Sequence, residues 1–527
     1  MIYHCEDYTC NYWDEGEKLP ERCPQCGRKL LRANEADMTG DDWTALGNTL
    51  WDAEASDKKR MVDCFRKAAY LGSAWGVCNL GICMEQGNGV EADPVQAFWL
   101  YQQAVEMGSL NAVCCLGVCY EYGIGTAPDA EKAAELYCKA AEYGSPRGQM
   151  LLARAFHDGI GVEADAAEAV YWVRAAAYQR YGEGMYRLGV CYEYGDGVEQ
   201  NWEHAVHWFR EAAGSGVSVA MAVLGYCYEK GCGVEQSWEQ AFSWYRRGAE
   251  CGYPVSMGNL GWCYKKGHGV EQNWQEAVKW YEQGAQCGDL QSMHNLACCY
   301  ERGEGVKQNM TEAIRWYTAA AEGGNADAMH NLGWHYDYGE GVEQDMKKAI
   351  CWYERAAEQN HPAAMNSLGE CYAMGLGVPR DLETAMEWYR RAAELGEAMA
   401  DYNMGWHLEQ AGKLSEAYAH YRKAADGNDD SAWWALGRFY ENGVVVVQDG
   451  KEARRCYETG EKLGSVKCKM RLARCKLLGI GGRRAKKAGL DLCRQALELA
   501  KESSEKEDYG YEAEMNLLRR TIAENES

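Results

Sequence analysis

The chain has 527 residues, more than a single hydrophobic core usually serves, so it forms either several domains or an array whose core grows with length. Its formal net charge of −24 at pH 7 argues against nucleic acid as the main partner. No run of about 18 apolar residues is present, so we expect no membrane span. The N-terminus lacks the basic and apolar regions of a secretory signal, so the 25 cysteines are expected to be reduced thiols in the cytoplasm.

Two cysteine pairs lie near the N-terminus, Cys5 with Cys10 and Cys23 with Cys26. Two pairs separated by a short segment are the arrangement that a tetrahedral zinc site with four thiolates needs. The segment resembles a rubredoxin-like zinc ribbon, although its first pair is wider than the usual Cys-x-x-Cys. We therefore predict a zinc ribbon over residues 1–35. The zinc is expected to be structural, because four protein ligands leave no position for water, and the same ligands would also accept iron.

A Leu-Gly pair, or a close variant of it, recurs mostly every 36 residues between Leu46 and Leu472. A small residue precedes this marker leucine by four and a tyrosine often follows it by four, so one apolar stripe lies on one face of a helix, called helix A. A Gly-x-Gly loop leads to a second helix, helix B, in which an alanine is followed by an aromatic pair and a small pair. Helix B begins after N-cap residues in register: Asp93, Asp129, Asp165, Asn201, Ser237, Asn273, Asn309, Asp345, Asp381 and Asp449.

This pattern resembles the Sel-1-like repeat family, whose members are related to tetratricopeptide repeats. The resemblance implies an all-α fold, a right-handed α/α superhelical solenoid of about thirteen helix pairs whose concave surface is lined mainly by helix A. We assign residues 36–500 to the solenoid, with a shortened unit near 404–435, and residues 501–527 to a C-terminal capping helix. The resemblance also implies an adaptor that assembles protein complexes.

Some residues in the repeat are of the types found in catalytic or ligand-binding sites. The residue between the loop glycines varies from Asn88 to Cys232 to His268, and a phosphate loop needs a preceding strand, so we interpret these loops as turns. Cys227 and Cys263 recur three residues after the marker leucine and are interpreted as buried filler. A hydrolase is the alternative function, because cysteine-rich relatives have been linked to β-lactam hydrolysis. A metal-responsive regulator that uses the ribbon as its sensor is the third.

The face of helix A opposite the core stripe contains offsets −5, −2, +2 and +5 from the marker leucine. Bulky rings at −2 and +2, with asparagines at −1, predict a groove that binds a segment of a partner. The groove residues are Tyr186, Tyr226, Trp262, His294, His330, Trp334, Tyr402, Trp406, Trp434, Asn259, Asn295, Asn331 and Asn403.

An acidic rail lies beside this groove at offset +5, formed by Glu121, Glu193, Glu229, Glu301, Asp337, Glu409 and Glu441. We therefore predict a non-enzymatic protein–protein interaction scaffold whose partner is a protein or peptide with basic and apolar side chains. The alternative is that the acids are solvated helix formers and the asparagines form hydrogen bonds between repeats.

Overall fold

The computed structural model describes residues 2–5, 13–15, 30–33, 38–51, 55–506 and 512–526. Three short strands precede the helices and form an antiparallel sheet of order β2-β1-β3. Tyr3 lies opposite Asp14 on one side and Arg32 on the other. The strands are β1 (Ile2–Cys5), β2 (Trp13–Glu15) and β3 (Leu30–Ala33).

Consecutive helices form the predicted A and B pairs. The A helices are α1 (Gly40–Thr49), α3 (Ala74–Gln86), α5 (Leu110–Tyr122), α7 (Pro146–Asp158), α9 (Gly182–Tyr194), α11 (Ser218–Lys230), α13 (Pro254–Lys266), α15 (Leu290–Arg302), α17 (Ala326–Tyr338), α19 (Pro362–Met374), α21 (Ala398–Gln410), α23 (Asp430–Asn442) and α25 (Val466–Leu478). The B helices are α2 (Ala55–Tyr70), α4 (Pro94–Glu106), α6 (Ala130–Glu142), α8 (Ala166–Tyr178), α10 (Trp202–Gly214), α12 (Trp238–Glu250), α14 (Trp274–Gln286), α16 (Met310–Gly323), α18 (Met346–Glu358), α20 (Leu382–Glu394), α22 (Leu414–Asp426), α24 (Gly450–Lys462) and α26 (Lys486–Lys506). A last helix, α27 (Glu512–Glu526), contacts α25 and α26.

The chain divides into two compact units, Met1–Gln272 and Asn273–Ser527. Within each unit the two helices of a pair contact each other, and each B helix contacts the A helix that follows it. A single pair cannot bury its own apolar face, so this stacking of neighbours creates a continuous core. The helical part of each unit is therefore an α/α solenoid, and in the first unit the three strands precede it.

The predicted N-caps are confirmed. The Asn273 side chain accepts a hydrogen bond from the backbone N–H of Glu276, which satisfies one of the amides that a helix start leaves without a partner. Asp93 caps Gln96 in the same way, and Pro94 follows at the first helical position. All ten predicted positions cap their B helices in this manner.

The Gly-x-Gly loops are turns, and they also join neighbouring repeats. Gly267 ends α13 in the left-handed region at φ +73°, and its N–H donates to the carbonyl of Cys263. Gly269 has φ +70°, and a Cβ there would lie 2.2 Å from the carbonyl oxygen of Trp238, at the start of α12 in the preceding repeat. The second glycine therefore allows two backbones to touch.

The glycine of the Leu-Gly pair makes room for a buried ring. A Cβ on Gly225 would lie 2.3 Å from Cε1 of Tyr245, and a Cβ on Gly437 would lie equally close to the ring of Tyr457. The rings belong to one position of helix B and are almost wholly buried: Phe65, Tyr101, Tyr137, Phe209, Tyr245, Tyr281, Tyr317, Tyr353, Tyr389, Tyr421 and Tyr457. These rings are the largest side chains of the core, so the marker motif is explained by packing.

Candidate partner-binding face of helix A

The predicted rings on helix A lie at the edge of the core rather than in it. Tyr226 is 46% exposed and Trp406 is 38% exposed. The others are half-buried: Tyr186, Trp262, His294, His330, Trp334, Tyr402 and Trp434. Several contact a ring of helix B, as Tyr186 does with Phe209 and Tyr402 with Tyr421, at centroid distances of 5.8 and 5.6 Å. This face thus presents aromatic edges to solvent above a closed core.

Trp262 belongs to a three-ring stack. The imidazole of His268 lies 4.9 Å from the Trp262 ring and 4.1 Å from the Trp238 ring, nearly parallel to both. His268 is the variable residue of its Gly-x-Gly loop, and its sequence context shows only a turn. The structure gives it a second role, because its ring connects the loop of one repeat to helix B of the preceding one.

The two predicted histidines lie in a polar cluster between neighbouring A helices. The His330 ring stacks on His361 at 5.1 Å, and the Nε2 of His361 lies 3.1 Å from a carboxylate oxygen of Asp327. Burial, together with the neighbouring His361, lowers the pKa of His330 to about 4. His330 is therefore neutral at physiological pH, and it contributes hydrogen bonding, as with the Ser367 hydroxyl at 3.4 Å, rather than positive charge.

Two of the predicted asparagines hydrogen bond between repeats. The Nδ2 of Asn331 lies 3.1 Å from Nε2 of His294, and the Nδ2 of Asn403 donates to Asn366 and Glu370 at 3.0 Å. In each case position −1 of one repeat meets position −2 of the repeat before it. Asn259 and Asn295 are also half-buried. These contacts are the ones expected from the inter-repeat alternative.

The acidic rail is part of the internal structure, which corrects the expectation of an open charged surface. The Tyr245 hydroxyl donates to Glu229 at 2.8 Å, and the Tyr457 hydroxyl donates to Glu441 at the same distance. The members of the rail that accept from a buried tyrosine are Glu121, Glu229, Glu301, Asp337, Glu409 and Glu441, and Glu85 accepts from Tyr101 in the same way. Glu193 is the exception, because its repeat has Phe209 at the tyrosine position.

Arginines at position +2 add a second partner to some of these acids. Arg438 pairs with Glu409 at 2.9 Å, and Arg154 pairs with Glu121 at 2.5 Å. The carboxylates of Glu121 and Glu409 are thereby held between a tyrosine and an arginine of the following repeat. Their side chains are only 7% and 16% exposed, so they are poorly placed to bind a partner's lysine or arginine.

A cavity of about 730 Å³ opens on this same face between α7 and α9. Its floor is aliphatic, with Val170 and Val173 of helix B, and its rim carries arginines. Its lining from α7 includes the offsets −5, −2, +2 and +5 that define the predicted groove: Arg147, Met150, Arg154 and His157. The cavity lies in repeats where the sequence places few aromatics, so a search for aromatic side chains misses it.

The four predicted metal ligands fall mostly beyond what the structure covers. Cys5 is the last residue of β1. Cys10, Cys23 and Cys26 lie outside the described residues. Among the residues that the structure does describe, no helix combines the length and apolarity needed to cross a bilayer.

Known proteins share this architecture. The Sel1 repeat matches eleven segments: 76–109, 112–145, 146–181, 182–217, 218–253, 254–289, 290–325, 326–361, 362–397, 398–429 and 432–465. The crystal structure of c5321, a protective antigen of uropathogenic Escherichia coli with an SLR fold, is 29% identical and superposes with a TM-score of 0.59, covering 81% of this chain and 94% of that one. A Sel1 repeat protein from Oxalobacter formigenes is 31% identical over 46% of this chain and 96% of that chain, with a TM-score of 0.43. No curated protein matches the sequence. Because the repeats span well over half of the chain, it belongs to the Sel1 repeat family.

Proposed function

We propose that the chain is a non-enzymatic scaffold that binds segments of partner proteins on the helix-A face. Solenoids of this family are typically protein–protein interaction scaffolds. The observation that carries the proposal is the accessibility of aromatic side chains on this face, above all Tyr226 and Trp406. Aromatic side chains at a surface supply much of the binding energy at protein interfaces.

The buried thiols support a role without catalysis. Burial raises the pKa of Cys227 and of Cys263 to about 12, so both stay protonated and are weak nucleophiles. Cys115 differs, because a hydrogen bond with Cys78 and the nearby Arg147 guanidinium lower its pKa. Its side chain is nevertheless 5% exposed, which gives a substrate little access to the sulfur. Protonated, buried thiols also suit the reducing cytoplasm, which we propose as the location.

The partner that we propose is a protein rather than a nucleic acid, because the net charge of −24 would repel a phosphate backbone. Apolar side chains would contact the exposed rings. Basic side chains would be attracted by the overall charge rather than by the acidic rail, whose carboxylates are mostly engaged in internal hydrogen bonds.

The test compares partner capture from the native cell by the wild type and by single ring variants. Tyr226→Ala and Trp406→Ala are preferred because both rings are exposed, whereas Trp262→Ala would also break the ring stack with His268. Trp99→Ala is the matched control, since Trp99 is 57% exposed but lies on helix B. We expect capture to fall roughly tenfold for the helix-A variants and to stay unchanged for the control. Equal capture by all variants would show that a different surface binds.

We propose separately that Cys5, Cys10, Cys23 and Cys26 hold one structural zinc, with iron as the other ion that these ligands accept. Support comes from the spacing of the cysteines and from the antiparallel sheet formed by β1, β2 and β3. Elemental analysis of purified protein should give about one zinc or iron per chain, and Cys23→Ser with Cys26→Ser should abolish it. Metal content below about half an equivalent in the wild type would contradict this assignment.

A further inference from the structure

One repeat departs from the packing rule of all its neighbours. At the helix-B position that carries a buried Tyr or Phe from Phe65 to Tyr457, the repeat of residues 146–181 carries Val173. A valine lacks the ring that elsewhere fills the space between helix B and helix A. The ring is therefore missing at one place in a series that otherwise keeps it.

Two further positions of that repeat change with it. The glycine on which the ring normally rests is Ala153, and the acid that normally accepts the tyrosine hydroxyl is His157. In the preceding repeat the same three positions are Gly117, Tyr137 and Glu121, and a Cβ on Gly117 would lie 2.5 Å from Cε1 of Tyr137. Alanine also occupies this position as Ala297 in the repeat that keeps the buried Tyr317, so the missing ring rather than the methyl group distinguishes residues 146–181. All three members of the glycine–tyrosine–acid arrangement are thus replaced in this repeat, and they are replaced again in the last helix pair, where Ala473, Cys493 and Leu477 occupy these positions.

The cavity between α7 and α9 lies where that ring would be. Ala153, His157 and Val173 all line it, and these are the residues between which the ring and its hydroxyl would extend. A natural loss of a core ring would normally be filled by neighbouring side chains, because unfilled apolar space costs stability. Here the space stays open to solvent at about 730 Å³. The other repeats therefore indicate the occupant that this space fits, a planar aromatic ring.

The charged side chains at the rim of the cavity determine which chemical group of a partner can bind beside that ring. His157 lies 2.7 Å from Asp158 and 3.2 Å from Asp196; the hydrogen bond with Asp158 raises the pKa of His157, and its imidazole offsets part of the charge of these two acids. Glu183, also at the rim, hydrogen bonds with Tyr181. Arg154 is held by Glu121. Arg187 is exposed and, within the described residues, has no hydrogen bond or ion pair. An unpaired guanidinium beside an aliphatic cavity favours a carboxylate on the incoming group.

We propose that this cavity binds a partner polypeptide through an aromatic side chain next to an Asp or Glu. The ring enters the space above Val170 and Val173, and the carboxylate pairs with Arg187. The inference rests on the scaffold function proposed above. It adds that one partner segment carries an Asp or Glu that pairs with Arg187, although this chain is acidic overall. An incoming ring would sit toward His157, because the Ala153 methyl occupies the place of the usual glycine hydrogen.

The test uses the full chain and three labelled, end-blocked hexapeptides that differ only at two central residues: Trp-Glu, Trp-Lys and Ala-Glu. Fluorescence anisotropy should show the Trp-Glu peptide binding the wild type roughly tenfold more tightly than either of the others. Val173→Tyr with Ala153→Gly restores the arrangement of the neighbouring repeats and fills the cavity, so it should fold normally and lose at least about tenfold in affinity. Arg187→Glu should reverse the preference, so that Trp-Lys binds better than Trp-Glu.

Phe209→Tyr is the matched control. It adds the same hydroxyl at the equivalent position of the next repeat, where Glu193 can accept it, and it leaves the cavity lining unchanged. The proposal is wrong if the filled variant binds Trp-Glu as the wild type does, if the wild type does not discriminate among the peptides, or if none of them binds. The scaffold function is judged separately by capture with the Tyr226 and Trp406 variants, whose rings lie outside this cavity.

Discussion

The explanation that the glycine of the Leu-Gly pair makes room for a buried ring can be tested by adding one methyl group, as in Gly225→Ala. The new Cβ would lie 2.3 Å from Cε1 and 2.4 Å from Cδ1 of Tyr245, far inside van der Waals contact. The ring has little freedom to move away, because it is 1% exposed and its hydroxyl donates to Glu229 at 2.8 Å. The substitution must therefore displace the ring or shift α11 against α12, an adjustment of the kind that the repeat with Ala297 beside the buried Tyr317 makes while its tyrosine still donates to Glu301.

The size of the effect follows from two opposing contributions. Overpacking a closed core costs about 1–3 kcal/mol, whereas alanine is favoured over glycine in a helix by about 1 kcal/mol. We therefore expect Gly225→Ala to lower the free energy of unfolding of its region by about 1 kcal/mol. Gly214→Ala is the matched control, because Gly214 is helical and a Cβ there has no heavy atom within 4 Å. It should raise stability by about 0.4–1 kcal/mol, toward the lower end because Gly214 is the last residue of α10.

Native-state hydrogen exchange suits this measurement, because a long repeat array does not unfold in a single two-state step. Amides of α11 and α12 should exchange roughly fivefold faster in Gly225→Ala than in the wild type. Adding Tyr245→Val, which copies the natural Ala153 and Val173, should remove the clash and give a clear coupling energy. If Gly225→Ala protects these helices as much as Gly214→Ala protects its own, the ring is not the reason for the glycine.

Two pH predictions follow from buried groups. Burial raises the pKa of core tyrosines such as Tyr317 and Tyr457 above their unfolded value of about 10, so their contribution to stability is complete below that pH and is lost as the pH rises through it. The thermal midpoint should therefore fall from about pH 10 upward, with a shallower slope in Tyr317→Phe. Burial beside His361 lowers the pKa of His330 to about 4, so the unfolded chain binds a proton first and stability falls as the pH drops from about 6.5 toward 4. His330→Gln should flatten the acid side of the same curve, and an unchanged curve would contradict this reasoning.

Local signals made much of the fold predictable. N-cap residues such as Asp93 and Asn273 act within one turn of themselves, and the loop glycines act through their own φ angles. The repeat itself could be predicted because these local signals recur every 36 residues. Such features depend only on a few residues that are close together in the chain, so they can be predicted from the sequence.

Features that join distant residues were not predictable in this way. The acidic rail was expected to be open, because nothing near Glu229 in sequence shows that the Tyr245 hydroxyl reaches it. Val173 looks like an ordinary apolar residue of helix B until it is seen to lie with Ala153 and His157 around one cavity. Helical periodicity predicts the helix-A face, but the predicted rings on that face lie mostly in other repeats than the cavity.

The shortened unit bears on how the array responds to force. In the standard loops the second glycine touches the backbone of the preceding repeat, as Gly305 does with Trp274. The loop between α21 and α22 has a single glycine, Gly412, with φ +76° and no heavy atom within 4 Å of its would-be Cβ. The close backbone contact between neighbouring repeats is thus missing at this loop. Repeats beside this loop lack that close backbone contact, so under tension along the chain we expect them to separate more readily than repeats whose loops keep the second glycine.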